Sequence, residues 1–204
     1  MGSIARAQAL DLQGGAPASE EALEPYAARG LAYFPDFIDG AEERLLLDGI
    51  AALSLKEAPY KQYTSRRRIA SFGSVYDFSA SELKPGPPIP AFLLSLRKKA
   101  GDLLEVGADA IPHALVTEYR PGAPLGWHRD TPEFGVVVGV SLLGTARMRF
   151  RPYPPKKGAR ILNLDLAPRS AYILREDARW GWQHAIAPTA ELRYSVTFRT
   201  LRSR

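Results

Sequence analysis

The chain has 204 residues and a net charge of +5, so its length suits one sizeable domain and its charge favours polyanionic partners. Its 46% hydrophobic content is typical of soluble globular proteins, and no run reaches the ~20 apolar residues that a membrane span needs. It contains no cysteine, which excludes disulfides, a thiol nucleophile, Cys-ligated zinc and iron–sulfur clusters, so any metal must be held by nitrogen and oxygen.

The N-terminal residues 1–21 predict a mobile tail, because they are rich in Ala, Gly and Gln and lack apolar periodicity. A single domain is expected over residues 22–204, beginning with a short strand-like run at 30–38. The N-terminus has no apolar core like that of a secretory signal, so we expect a cytoplasmic protein. We also expect a monomer that does not associate with membranes.

Two helices are predicted next along the chain. Asp39 is expected to cap the first, and the residues on its buried side are Leu45, Leu46, Ile50 and Leu53. Pro88 and Pro90 mark the start of the second. Its apolar residues at helical spacing are Phe92, Leu93, Leu96, Ala100, Leu103 and Leu104.

Beyond residue 113 the sequence predicts short strands separated by Pro and Gly. They are expected at 114–119, 136–143, 146–151, 161–166, 170–174 and 192–201. Strands of this length and spacing favour an antiparallel sandwich or barrel over alternating β-α units. The predicted fold class is therefore α+β, mainly β, with helices flanking the sheets and a site in the mouth of the sandwich.

A metal site is predicted from two of the three histidines. In an extended segment His128 and Asp130 point to the same side, and an imidazole and a carboxylate there can bind a metal with His184 as third ligand. Such a set leaves three positions open on iron(II) for a co-substrate and O2. The alternatives are a surface His–Asp pair and a His184 packed among tryptophans; we assign His113 to structure.

The last strand alternates cleanly between two faces. Leu192, Tyr194, Val196 and Phe198 form an apolar face that should pack under the helices, whereas Arg193, Ser195, Thr197 and Arg199 form a polar one. Buried arginines need anionic partners, and the neighbouring strands offer few acids. A bound dicarboxylate would satisfy both arginines. The alternative is an ordinary polar face turned to solvent.

Together these residues resemble the AlkB-like branch of the Fe(II)/2-oxoglutarate dioxygenases. Arg193-Tyr-Ser-Val-Thr-Phe-Arg199 looks like the closing Arg-x5-Arg motif of that family. Tyr119-Arg-Pro-Gly-Ala-Pro-Leu-Gly-Trp-His128-Arg-Asp130 is similar to its Tyr-x-x-Gly…His-x-Asp segment. The resemblance implies a double-stranded β-helix, or jelly roll, and iron(II), 2-oxoglutarate and O2 as cofactors, with His128, Asp130 and His184 as the metal ligands.

The resemblance also implies roles around 2-oxoglutarate. Arg193 and Tyr119 would bind its far carboxylate, and Arg199 would lie near the end that chelates iron. Ser195 stands where a further co-substrate contact is expected. Thr117 occupies a position where many members carry Asn, which alters one of the contacts to 2-oxoglutarate.

A candidate nucleotide-recognition lid at 58–80 is similar to the corresponding segment of the family. Its basic run Arg66-Arg67-Arg68 can hold phosphates, and Tyr76 and Phe78 can stack on an exposed base. The alternative is a solvated charge run beside a packed hairpin. A second basic stripe, either phosphate-facing or solvated, is formed by Arg147, Arg149 and Arg151.

The implied function is oxidative dealkylation of alkylated nucleobases in DNA, with RNA also open. Repair enzymes of the family often carry an acid two places after the motif aspartate; here Pro132 stands there and Glu133 follows, so Glu133 is the candidate base contact. This departure keeps two alternatives open. One is the same chemistry on a protein or small molecule, and the other is a nucleic-acid-binding module that has lost activity.

Overall fold

The computed structural model describes residues 30–60, 63–77 and 79–203, so the predicted tail and Phe78 lie outside the described residues. Within these ranges the helices are α1 Gly40–Ala51, α2 Ala91–Leu103 and α3 Glu176–Trp180. The strands are β1 Leu31–Phe34, β2 Lys56–Tyr60, β3 Tyr63–Asp77, β4 Glu82–Pro85, β5 His113–Tyr119, β6 Leu125–His128, β7 Phe134–Leu143, β8 Ala146–Pro152, β9 Leu162–Leu166, β10 Ala171–Leu174, β11 Trp182–Ile186 and β12 Arg193–Leu201. No described helix has both the length and the apolar character of a membrane span.

The described strands form two antiparallel sheets. The main sheet has the order β1-β10-β7-β12-β5-β3-β2, with β4 paired to β3, and the minor sheet has the order β6-β11-β8-β9. Side chains from both sheets, such as Tyr119 and Leu174 from one and Phe150 and Leu164 from the other, form a shared buried cluster. This face-to-face packing confirms the predicted jelly roll.

Helices α1 and α2 cover the outer face of the main sheet. Asp39 caps α1 as predicted, through a capping box with Glu42, and Leu46 and Ile50 are buried. The prediction for Leu45 was wrong: its side chain is 69% exposed, because it lies on the opposite side of the helix. α2 begins after Pro90 as predicted. Its apolar face packs, with that of α1, on Val116, Val196 and Phe198.

Strand β12 lies between β5 and β7 at the centre of the main sheet, which decides where its side chains go. The predicted alternation is present: Val196 and Phe198 pack under the helices, whereas Arg193 and Ser195 are buried on the face turned to the minor sheet. Leu192 precedes the strand and is 37% exposed, so its assignment to the apolar face was wrong.

The candidate lid is built into the edge of the main sheet. β3 pairs with β5 over residues 67–73 and with β2 on its other side, and beyond Gly73 it pairs with β4. The six strands predicted after residue 113 agree with observed strands within two residues at each end. The predictions missed β6 and β11, the short strands that carry His128 and His184.

Candidate metal and co-substrate centre

The three predicted metal ligands converge between the two sheets. His128 ends β6 and is paired in register with His184 on β11, and Asp130 follows two residues later. One ring nitrogen of each histidine and one oxygen of Asp130 all lie within 4.8 Å of one another. His184 Nε2 is 3.6 Å from Asp130 Oδ2. His128 Nδ1 donates to the carbonyl oxygen of Gly126 at 2.9 Å, which leaves the Nε2 lone pair of His128 free for a metal.

The charges of this group suit a divalent cation. Burial lowers the pKa of His128, and burial together with the neighbouring His128 lowers the pKa of His184 to about 3, so both rings are neutral at neutral pH. Burial alone would raise the pKa of Asp130. The nearby Arg199, followed by the two histidines, holds it below its ordinary range, so Asp130 is ionised. Two neutral imidazoles and one carboxylate form the donor set expected for non-haem iron.

Arg199 fixes the carboxylate of Asp130. Its Nε and Nη2 both donate to Asp130 Oδ1, at 2.8 and 2.5 Å. Asp130 Oδ2 is buried and has no hydrogen-bond partner among the described residues. Arg199 thus has an anionic partner within the protein and does not require a bound dicarboxylate to balance its charge. Its contact with 2-oxoglutarate stays a prediction.

His113 supports Arg199 from the neighbouring strand. Arg199 Nη1 lies 3.2 Å from His113 Nδ1, and His113 Nε2 lies 3.1 Å from Ser71 Oγ. A guanidinium only donates, so Nδ1 must accept and Nε2 carries the proton. Burial, and then the charge of Arg199, lowers the pKa of His113 to about 3, so the ring is neutral. The assignment of His113 to structure thus becomes more specific: it positions Arg199, which positions Asp130.

Arg193, at the other end of β12, is a buried cation whose hydrogen-bonding capacity is only partly used by the described residues. It is 1% exposed, its Nε donates to Ser141 Oγ at 2.9 Å, and its guanidinium lies 4.9 Å from the Tyr119 ring centre. Arg193 Nη1 is buried without a hydrogen-bond partner among the described residues. Ser195 lies in register with Thr117 on one side and Ser141 on the other, and all three are buried. The arrangement of one cation and three hydroxyls fits a carboxylate.

Four further residues near the centre escaped the sequence analysis. They are Ser141 on β7, Tyr172 on β10, Arg179 on α3 and Thr131 after Asp130. Burial raises the pKa of Tyr172 to about 12, and its neighbours include Arg193, Tyr119 and Asp130. Arg179 donates to the carbonyl oxygens of Thr131, Phe134 and Gly135, which fixes the loop that follows Asp130. Ser141 and Tyr172 could have been found only from the pairing of β7 and β10 with their neighbouring strands, because that pairing brings both side chains to this centre.

The predicted basic run in the lid does not form one cluster. Arg68 donates to Glu118 at 2.7 and 2.5 Å on the helix side of the sheet, so it is not available to a phosphate. Arg67 lies on the inner face, 5.9 Å from the Tyr119 ring centre, and Arg66 is exposed. The alternation of side chains along β3 places Arg67 on the face opposite to Arg66 and Arg68, and Glu118 engages Arg68.

The other predicted substrate contacts belong to two different segments of the chain. Tyr76 is half-buried where β3 pairs with β4. Glu133 lies in the loop after Asp130, and its Oε2 is buried without a partner among the described residues. The stacking of Tyr76 and Phe78 on a base stays a prediction, because Phe78 lies outside the described residues.

The sequence matches the 2OG-Fe(II) oxygenase superfamily over residues 30–199. It is 33% identical to the uncharacterized protein L905 of Acanthamoeba polyphaga mimivirus, in a match covering 61% of this chain and 64% of that protein. It is 28% identical to the probable RNA/DNA demethylase ALKBH6 of Danio rerio, covering 78% of this chain and 70% of the relative.

A third relative is the tRNA (carboxymethyluridine(34)-5-O)-methyltransferase alkbh8 of Xenopus tropicalis, 24% identical over 83% of this chain and 27% of that protein. The chain thus matches less than two thirds of L905 and about a quarter of alkbh8. Among solved structures it is similar to OsALKBH1, with a TM-score of 0.61 and 17% identity over 84% of this chain and 97% of that one, which supports the fold. The chain therefore belongs to the 2OG-Fe(II) oxygenase superfamily as an AlkB-like dioxygenase, whose cofactors are iron(II), 2-oxoglutarate and O2.

Proposed function

We propose that this dioxygenase removes alkyl groups from nucleobases of DNA or RNA by oxidation. The observation that carries the proposal is a pair of complementary buried atoms without partners. Among the described residues, Asp130 Oδ2 accepts no hydrogen bond and Arg193 Nη1 donates none. A metal at the first and a carboxylate of 2-oxoglutarate at the second would satisfy both.

Separate groups of residues would hold the metal and the co-substrate. His128, Asp130 Oδ2 and His184 would hold iron(II), while Arg193 with the Thr117, Ser141 and Ser195 hydroxyls would hold the far carboxylate of 2-oxoglutarate. When bound, iron and 2-oxoglutarate supply the activation of O2 that oxidises a C–H bond. Arg199 keeps Asp130 ionised and correctly turned.

The apolar inner face of the minor sheet limits water around the centre. Met148, Phe150, Leu162 and Leu164 are all buried on that face, and the Phe150 ring centre lies 6.4 Å from that of His184. A dry wall strengthens the electrostatic contacts of the ligands and protects the oxidation from side reactions.

A nucleobase substrate is supported by the similarity to two relatives, a probable RNA/DNA demethylase and a tRNA methyltransferase. In the proposed reaction an N-methyl group, O2 and 2-oxoglutarate give an N-hydroxymethyl group, succinate and CO2. The N-hydroxymethyl group then loses formaldehyde, and the proton returns to the base nitrogen. Each turnover therefore yields one succinate and one formaldehyde.

The test is to measure succinate and formaldehyde with iron(II), 2-oxoglutarate and a single-stranded oligonucleotide that contains 1-methyladenine. Matched controls are the unmethylated oligonucleotide, a methylated peptide and the Asp130→Ala variant. We expect equal amounts of both products with the methylated oligonucleotide only. Succinate that forms equally with every substrate would contradict a nucleobase substrate. Oligonucleotide binding without any product would instead show a binding module.

A further inference from the structure

The hairpin formed by β8 and β9, residues 146–166, carries the excess charge of the chain. It contains six basic residues and one acid, Asp165, against 27 basic and 22 acidic residues in the whole sequence. The remainder of the chain therefore has 21 of each and is neutral on balance. The basic residues of the hairpin are Arg147, Arg149, Arg151, Lys156, Lys157 and Arg160.

Five of these six cations are not neutralised. Asp165 pairs with Arg147, whereas the other five make no salt bridge with any acid in the described part of the chain. Lys156, Lys157 and Arg160 are exposed in the turn between the two strands. Such a concentration of one sign creates a positive potential that attracts a polyanion.

The outer face of the hairpin is ordered by stacking on an aromatic ring. The guanidinium groups of Arg149 and Arg151 lie 5.3 and 4.5 Å from the ring centre of Trp127. Arg151 Nε also donates to Gln183 Oε1 at 2.9 Å. These contacts hold the two cations in place, which lowers the entropy lost when they bind a phosphate.

The turn of the hairpin stands at the rim of the metal centre. Arg129, which lies between His128 and Asp130 in the sequence, stacks on the Tyr153 ring at 3.8 Å. Arg129 Nη1 also donates to the carbonyl oxygen of Trp180 at 3.0 Å. The exposed lysines that follow Tyr153 therefore begin next to the position where a substrate base would enter.

We propose that residues 146–166 form a phosphate-binding arm that holds the nucleic-acid backbone flanking the substrate nucleotide. The identity of the base in the centre rests on the proposed function, but the binding of the backbone does not. A nucleic acid fits better than a lipid surface, because Tyr153 is the one large exposed apolar side chain of the described hairpin and it is already stacked on Arg129. Each phosphate neutralised should add about 0.7 to the salt dependence for a single strand.

The experiment compares two double variants with equal loss of charge. Lys156→Ala/Lys157→Ala removes two cations of the arm, and Arg44→Ala/Lys98→Ala removes two exposed cations from α1 and α2. The probe is an unmodified fluorescent single-stranded DNA of 20 nucleotides, followed by anisotropy as KCl is raised. Thermal stabilisation by Mn(II) with 2-oxoglutarate reports an intact fold in each protein.

We expect the arm variant to bind the probe about tenfold more weakly than the wild type. The slope of log K against log salt should become shallower by about 1.4, which corresponds to the loss of two phosphate contacts. The control should stay within twofold of the wild type. On a methylated oligonucleotide the arm variant should raise KM and leave kcat unchanged.

Two results would overturn the arm: equal losses in both double variants, or binding of anionic phospholipid vesicles with the same dependence on Lys156 and Lys157. A different result would contradict the proposed function alone. In that case no methylated nucleic acid is turned over, but the wild type and the control variant still bind the probe and the arm variant does not, which supports the phosphate-binding arm.

Discussion

The two ends of β12 carry the same residue type in opposite states. At one end Arg199 is fully engaged, by Asp130 on one side and His113 on the other. At the other end Arg193 is more deeply buried, yet one of its N–H groups has no partner in the described residues. The comparison separates two uses of a buried arginine: Arg199 pairs with groups of the protein itself, and Arg193 is proposed to pair with a bound ligand.

This difference has an energetic meaning. Removing one partner of a buried ion pair is strongly destabilising, whereas a buried charge without a partner lowers stability until a partner binds. Replacing Arg199 should therefore lower the free energy of unfolding, and replacing Arg193 should weaken ligand binding. Substitutions at four residues test this difference, beginning with the largest expected effect.

Replacing the carboxylate that Arg199 holds should have the largest effect. In Asp130→Asn the neutral amide cannot balance a divalent cation, and Arg199 loses its anion. We expect succinate formation to fall by about 10³-fold or more, as for the loss of a metal that carries the chemistry. Asp48→Asn, which removes an exposed carboxylate of α1, is the matched control. Activity within tenfold of wild type in Asp130→Asn would contradict the metal assignment.

Removing the paired arginine should destabilise the protein without its ligands. Arg199→Met leaves Asp130 ionised and buried without a cation, and breaking such a pair costs about 3–5 kcal/mol. Urea unfolding of the metal-free protein measures the loss. A change below about 1 kcal/mol would show that Asp130 finds another partner and would end the distinction between the two arginines.

Removing Arg193 should weaken ligand binding without lowering the stability of the metal-free protein. Arg193→Met replaces a buried cation by an apolar chain of similar length, so the metal-free protein should be as stable as wild type or slightly more stable. Affinity for 2-oxoglutarate, measured by calorimetry with Mn(II), should fall about 100-fold, or about 2.7 kcal/mol. Unchanged affinity would place the co-substrate elsewhere.

The effect that is smallest at neutral pH is that of His113, whose contribution to stability depends on pH. Its pKa is lowered to about 3, so the folded protein keeps it neutral while the unfolded chain takes up a proton below about pH 6.5. Its contribution to stability is therefore complete above pH 6.5 and is lost as the pH falls towards 3, by about 1.4 kcal/mol per pH unit.

His113→Gln should reduce the slope of unfolding free energy against pH by about that amount between pH 6 and 4. The Gln amide oxygen can still accept from Arg199, so Mn(II) affinity should change little. His113→Leu leaves Arg199 Nη1 unpaired and should weaken Mn(II) binding about tenfold. Equal Mn(II) affinity in both variants would mean that His113 does not position Arg199.

Much of the fold was predictable because β12 and the helices show strong patterns. The alternation from Arg193 to Arg199 identified both faces of the central strand, and Asp39 with Glu42 marked the start of α1. The triad was predictable as a set because only three histidines exist. β6 and β11 were missed because neither shows the sustained alternation or the continuous apolar run that identified the equally short β9 and β10.

The partners of the two arginines were not predictable, since they depend on strand pairing. Arg199 meets Asp130 and His113 across distances of 69 and 86 residues in sequence, and Arg193 meets Ser141 across 52. No local pattern contains that information. The same holds for Glu118, whose pairing with Arg68 divides a run of three arginines that reads as one basic cluster.

That division gives adjacent positions of β3 different mutational tolerance. Replacing Arg68 removes a partner of the buried Glu118 and should lower the yield of folded protein, whatever the substrate. Replacing Arg67, one residue earlier and turned towards Tyr119, should spare folding and alter the dependence on co-substrate or substrate. A library of single substitutions, scored once for abundance and once for turnover, would place these neighbouring codons in separate classes.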